Sequence, residues 1–461
     1  MKPSEATEVG RVVGEALRSG AHRTGQLSAA IVDRGYRVVR RAVPVDRRDS
    51  VDRVRSAHVR ATQGGADAIG AGLRALGAAA GRAGARFVDG DPIVEEHGAH
   101  QVVSVLNGVY GDRLHDQRSP LNLPMAVRAN GRDVHLTADE VRAAYSGATD
   151  LVVVFLHGLI ETDDWWDIRS ERNWGKPGES YSARLQAEGV WTPVRVRYNT
   201  GLRVSANGRT LDDLLEGLVQ AWPVPLRGLV LVGHSMGGLV LHSALAQTSA
   251  ERRWPDLVRA TVTIGTPHQG AALVRGIARL TPALASVPET RWLAEVIAAR
   301  PAGMGDLGHG NLLADDWRGL GPTALVADPG AVPLKEGIRH CVVIGTVPSN
   351  RDGLMARWIG DLLVRPADAR LAEGRGSVDP RDVRVVGGAR HLDLLNHPAV
   401  FVHLAEWLAY AARTSPGADP ASPGADPASP ASSGADSTSL AADSTSLAAD
   451  PASPTAPPPS P

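Results

Sequence analysis

Ser235 stands between two glycines in Gly233-His234-Ser235-Met236-Gly237, directly after the apolar run Leu229-Val230-Leu231-Val232. A serine hydroxyl is a weak nucleophile until the backbone presents it and a base takes its proton. A strand, the pattern Gly-x-Ser-x-Gly and then a helix supply the presentation: the serine is held on a strained turn, and the glycines leave room for the turn and the helix after it. In a chain with 50 glycines a bare match means little, but here an apolar strand precedes the motif and a helical stretch over 238–248 follows it. The pattern predicts a nucleophile elbow with an exposed Ser235.

The base should follow the last strand of such a sheet. His391 comes just after Val383-Arg384-Val385-Val386, on a Gly387-Gly388-Ala389-Arg390 loop, and loops at strand ends carry functional side chains more often than helix interiors do. His397 precedes Pro398 where capping is the ordinary role, and His403 falls inside the following helix, so His391 is preferred. The acid that orients the imidazole should lie beyond the strand containing Cys341, where Asp352, Asp361 and Asp368 are available. Asp361 is chosen because Leu362-Leu363-Val364 can bury a carboxylate beside an imidazole; Asp352, before Gly353 in a possible turn, ranks second, and Asp368 lies in a polar stretch. A tetrahedral oxyanion needs preorganised donors, each worth about 3–4 kcal/mol when removed. The N–H of Met236, next to the serine, is one candidate, and that of Leu159, in the loop His157-Gly158-Leu159, is the other. His157 itself reads as a structural group bonding its own loop, and Trp165-Trp166 reads either as core or as an apolar rim for acyl chains. The sequence has no His-Glu-x-x-His, no paired cysteines and no phosphate-binding loop; neither a metal nor a cofactor is expected.

Positioning these residues needs a sheet whose strands end together. Strand-like segments at 151–156, 194–198, 229–232, 260–264, 341–344 and 383–386, several of them continuous apolar runs, alternate with helical patterns such as 181–188 and 211–222, which implies a mostly parallel sheet covered on both faces. Residues 125–129 and 132–136 flank Asn130-Gly131, the pair that suits a two-residue hairpin turn. A hairpin feeding a parallel sheet, with the serine after a central strand, is the order of an α/β-hydrolase fold. Residues 271–318 interrupt that order with helical patterns such as Trp292-Leu293-Ala294-Glu295-Val296-Ile297, as expected of a helical cap insertion.

Residues 1–118 read as a helical N-terminal extension, 119–412 as the hydrolase domain and 413–461 as a disordered Pro/Ala/Ser-rich tail with too little apolar surface to order. Within the extension, Ser50 sits where a helix through Val51, Val54 and Ala57 would start, and the Gly/Ala-rich 64–85 suits a closely packed helical hairpin or a membrane-surface helix. The formal net charge of −1 removes any general attraction to nucleic acid, and no apolar run is long enough to span a bilayer. The polar, acidic N-terminus is unlike a secretory signal, so a cytoplasmic protein is expected. The expected partner is a small-molecule or lipid ester, with peripheral membrane contact through the N-terminal helices as an option and the oligomeric state open.

With His157-Gly158-Leu159, Gly233-His234-Ser235-Met236-Gly237-Gly238, Gly265-Thr266-Pro267-His268-Gln269-Gly270, Gly360-Asp361-Leu362-Leu363-Val364 and His391-Leu392-Asp393-Leu394-Leu395, the chain resembles bacterial α/β-hydrolases of the lipase type, especially those similar to GPI inositol-deacylases. The resemblance covers roughly residues 120 to 410 and implies Ser235 as nucleophile, Asp361 as acid, His391 as base and Leu159 with Met236 as oxyanion donors. Such relatives carry a second glycine where this chain has Leu362. The implied activity is cleavage of carboxylic esters, with lipid or long-chain acyl esters as the expected substrates. Thioesterase or acyltransferase chemistry would use the same groups, and a catalytically idle scaffold binding an apolar ligand or partner is the reading from another class.

Overall fold

The computed structural model describes residues 2–12, 14–15, 18, 33, 40, 48–85, 99–271, 302–316, 334–348, 361, 364–369 and 378–416. Eight strands make one sheet: β1 (Ala126–Ala129), β2 (Arg132–Val134), β3 (Leu151–Leu156), β4 (Thr192–Arg197), β5 (Gly228–His234), β6 (Val258–Ile264), β7 (Arg339–Thr346) and β8 (Val383–Gly387), in the order β2-β1-β4-β3-β5-β6-β7-β8. Strand β1 is antiparallel to both its neighbours, and β4, β3, β5, β6, β7 and β8 run parallel. Asn130 and Gly131 hold φ of 50° and 77°, so the hairpin closes through the two positive-φ residues its turn requires.

Successive strand side chains point to opposite faces, and the two faces bury different partners. Val152, Val154, Leu156, Leu229 and Leu231 pack with Leu211, Leu215, Leu239 and Leu241 of the Val204–Ala221 and Met236–Gln247 helices. Val153, Phe155, Val230 and Val232 pack instead with Tyr181 and Leu185 of the Tyr181–Glu188 helix and with Leu404, Trp407 and Leu408 of the Pro398–Thr414 helix. This is why Leu151–Leu156 and Leu229–Val232 are apolar at every position rather than at alternate ones.

Three elements depart from the sequence reading. The Val204–Ala221 helix begins about two turns before the expected 211, because the remote Asp306 carboxylate accepts its first N–H, from Val204, at 2.9 Å. The segment expected to form separate helices is one helix, Arg48–Gly84. It meets the 3–12 helix so closely that a Cβ on Gly81 would lie 2.8 Å from the Thr7 carbonyl oxygen. A further helix, Ala99–Asp116, is anchored by buried Asn107, which donates to the carbonyls of Val103 and Leu121 and accepts from the Leu123 N–H. Residues 292–297, most of the expected insertion, and the tail beyond 416 lie outside the described residues. No helix among the described residues is long and apolar enough to cross a membrane.

Gly233 joins the sheet to the helix that follows the elbow. A Cβ there would sit 2.5 Å from Gly238 N and 2.6 Å from Gly237 C, both backbone atoms that cannot rotate away. Gly233→Ala should therefore destabilise the fold by about 1–3 kcal/mol, read as a lower urea midpoint at unchanged slope; an unchanged midpoint would show that the junction has slack.

Candidate active site

Strand β5 ends at His234 and the Met236–Gln247 helix begins two residues later, leaving Ser235 at φ 52°, ψ −119°. A non-glycine residue held there costs of order 1–3 kcal/mol. The turn is held by Ser235 N–H donating to Ile264 O at 2.9 Å and Gly238 N–H donating to Ser235 O at 3.1 Å. Contrary to the expectation of an exposed serine, Ser235 keeps only 6% of its surface accessible. The loop after β3 lies against it, so that a Cβ on Gly158 would come within 2.9 Å of the Ser235 Cβ.

His391 and Asp361 meet as a buried pair. His391 Nδ1 lies 2.7 Å from Asp361 Oδ2, and His391 N–H donates to Asp361 O at 3.0 Å. The other carboxylate oxygen accepts the Val364 N–H at 2.8 Å, so the side chain is held from both sides. Gly265, the first residue of the Gly-Thr-Pro-His-Gln-Gly segment, has φ 59° and leaves the imidazole its space, since a Cβ there would lie 3.2 Å from the ring. The His391 ring is also 4.7 Å, centroid to centroid, from the ring of His234, the residue before the serine. Burial alone would push the His391 imidazole down, but the charge and hydrogen bond of Asp361, with the charge of Glu161, hold it above the ordinary histidine value.

The remaining candidates separate by location. His397 caps the Pro398–Thr414 helix, accepting from Ala399 N–H at 3.2 Å, and His403 lies within that helix beside Glu406. Asp368 sits in the short Pro366–Ala369 helix, while Asp352 lies outside the described residues. His157 is structural: its Nε2 accepts from Tyr198 N–H, which leaves the hydrogen on Nδ1 to donate to Gly158 O at 2.9 Å. Burial pushes this imidazole down, as suits a neutral ring stacked 4.6 Å from Tyr198. Trp166 is fully buried in a T-shaped contact with Phe155 and is core, whereas Trp165 is half-buried against the same core.

The loop 158–161 uses its N–H groups selectively. Gly158 donates to the Glu161 carboxylate at 2.5 Å, Ile160 to Thr200 Oγ1 at 3.1 Å, and Glu161 to Gly158 O at 3.3 Å. Leu159 N–H and Met236 N–H take no acceptor among the described residues. The sequence reading missed Glu161, whose signal was an acid three residues beyond Gly158 in an otherwise apolar loop. It placed the Ala99–Asp116 helix only within the N-terminal extension and not beside this loop, where Gly108 leaves room for the Ile160 side chain. The described part of the expected insertion, Ala302–His309, reaches the elbow: a Cβ on Gly303 would lie 3.1 Å from Met236 Cε. Among the described residues no group of three or more His, Cys, Asp or Glu is placed to hold a metal.

An antiparallel hairpin leading into parallel strands, helices on both faces and a strained turn after the central β5 make this an α/β-hydrolase fold. The chain belongs to the alpha/beta hydrolase family, which it matches over residues 153–404. Among solved structures it is similar to a lipase of Bacillus licheniformis, BlEst2, with 18% identity over 56% of this chain and 91% of the other, at a TM-score of 0.38. It is similar also to EstA of Clostridium botulinum, with 14% identity, 57% and 88% coverage and a TM-score of 0.33. An esterase of Pyrococcus furiosus gives 16% identity, 57% and 84% coverage and a TM-score of 0.32. No curated protein matches the chain.

The His391 environment makes a prediction that does not depend on turnover. In a histidine NMR titration, His391 should titrate above 6.5, and Asp361→Asn should bring it below that value, because burial then outweighs what Glu161 supplies. A midpoint unmoved by the substitution would show that the carboxylate does not control the ring.

Proposed function

We propose that the protein is a serine hydrolase that cleaves carboxylic esters through an acyl-serine intermediate. The observation that carries this reading is the buried 2.7 Å contact between His391 Nδ1 and Asp361, within one ring contact of the elbow that bears Ser235. Asp361 orients the imidazole and favours its charged form; the other ring nitrogen, Nε2, takes the Ser235 proton as Oγ attacks the ester carbonyl carbon. The carbonyl oxygen becomes an oxyanion, and the N–H groups of Leu159 and Met236 stabilise it. On collapse the carbon–oxygen bond to the alcohol breaks, and His391 gives its proton to the departing oxygen. Water then attacks the acyl-serine, losing its proton to His391, which returns it to Ser235 as the acid leaves.

An acyl ester of some length is favoured over a small polar one. Ile160 is exposed beside Leu159 and lies against Gly108 of the Ala99–Asp116 helix, which also carries exposed Val105 and Val109. Apolar surface beside the reacting carbonyl suits an acyl chain. The motif resemblance to GPI inositol-deacylase-like hydrolases agrees with a lipid-linked ester as substrate.

A fluorophosphonate probe should label wild-type protein at Ser235 and leave Ser235→Ala unlabelled; a folded wild type that takes no label sinks the hydrolase reading. Asp361→Asn should lower kcat by about 10⁴-fold, whereas Asp352→Asn should have little effect, and the reverse order would move the acid to Asp352. Because an imidazolium cannot accept a proton, kcat/KM should fall as pH drops through the His391 value, placing the acid limb above 6.5. Across p-nitrophenyl esters from acetate to palmitate, activity confined to acetate would remove the long-chain preference.

A further inference from the structure

Behind the elbow lies a second buried pair that the mechanism above does not use. Glu161 and His234 retain 2% and 0% of their surface, and Glu161 Oε2 lies 3.0 Å from His234 Nδ1. The same oxygen accepts the Gly158 N–H at 2.5 Å, and His234 Nε2 lies 3.1 Å from His391 O. His234 thus bridges the Glu161 carboxylate and the His391 backbone carbonyl through its two ring nitrogens. Burial works against the Glu161 charge, yet His234, with its hydrogen bond, and the Gly158 N–H hold the carboxyl below the usual carboxylate range. The Trp166 ring lies 6.4 Å, centroid to centroid, from the His234 ring in a T-shaped arrangement.

Stability is a poor reason for such an arrangement. Replacing a buried ion pair with apolar side chains of similar volume is often neutral or stabilising, because desolvating two charges offsets most of their attraction. What the pair does is connect. It reaches the loop that carries Leu159, the residue before Ser235, and the backbone of His391, three segments remote from one another in the chain.

We propose that Glu161 is a positioning residue for hydrolysis: directly through Gly158, and indirectly through His234, it holds the Leu159 N–H and the His391 imidazole in register with Ser235. This rests on the hydrolase reading given above. Glu161 takes the Gly158 N–H and its own N–H closes the turn on Gly158 O, while Ile160 N–H goes to Thr200, so the neighbours of Leu159 in the loop are all committed. Among the described residues, the charged and titratable groups that face His391 are Asp361 and His234, with Glu161 behind His234 and His157 beyond it. Asp393, nearby, bonds Arg390 N–H and pairs with Arg169. Removing the Glu161 charge thus withdraws one of two anions that favour the His391 imidazolium.

Glu161→Gln keeps the shape and removes the charge. With active sites counted by fluorophosphonate titration, kcat should fall about 10- to 100-fold, as for a misplacement of reacting groups by about 1 Å, while KM changes less than about threefold and the acid limb of kcat/KM moves to lower pH. A purely structural role would lower the melting temperature and leave kcat per titrated site and the acid limb where they were; that result overturns the proposal. Should the glutamine variant not fold, Glu161→Asp keeps the charge on a shorter arm: a lower kcat with an unmoved acid limb supports the proposal, and an unchanged kcat overturns it. A wild type that takes no label at Ser235 overturns this role and the hydrolase reading together, whereas a labelled wild type with an unaffected Glu161→Gln overturns this role alone.

Discussion

The backbone of Ser235, forced to φ 52° between a strand and a helix, is the constraint around which this fold is arranged. A single residue in that region costs of order 1–3 kcal/mol and persists only where its surroundings leave no alternative. Here they leave none. The Ile264 carbonyl accepts the serine N–H, and the three flanking glycines face groups that no side chain could share: Gly233 the start of the helix, Gly237 the carbonyls of Leu156 and His157, and Gly238 the Thr266 hydroxyl. The strained turn is therefore clamped by β6 on one side and by the end of β3 on the other.

That clamp also explains why so many polar groups are buried at one edge of the sheet. Strands β3, β5 and β6 end in register, and the loops leaving β3 and β6 come up against the elbow through Gly158 and Thr266. Their polar groups must be paired because burial without a partner is costly. His157 bonds Gly158 O and Tyr198 N, Glu161 bonds Gly158 N and His234, and His391 bonds Asp361. The Leu159 and Met236 N–H groups stand apart from this pairing among the described residues. Such a pattern, with most groups committed and two donors uncommitted, is what a preorganised anion site requires.

Much of this was legible in the chain because local rules carried it. Strand-like segments, several of them continuous apolar runs, identified the parallel strands, Asn130-Gly131 the hairpin, and the glycines around Ser235 the elbow. Asp361 was preferred over Asp352 and Asp368 because the apolar residues after it could bury a carboxylate, and the structure brings Asp361 to His391. The departures have nonlocal causes. The start of the Val204–Ala221 helix is set by Asp306, about a hundred residues away, and Trp166 is core because Phe155 and Tyr181 surround it. No periodicity in a single segment reports either contact.

By itself, the sequence determined the order of the elements, the strained turn and the identities of Ser235, Asp361 and His391 as candidates, since all of these follow from residue type and spacing along the chain. Only the tertiary structure decided that Glu161 and His234 lie behind the elbow, that Gly265 makes room for the imidazole, and that the Ala99–Asp116 helix adjoins the loop bearing Leu159. The physical reason is the same in each case. A hydrogen bond, an ion pair or a close approach depends on where two remote segments meet, and that is settled by packing the two faces of the sheet rather than by either segment alone.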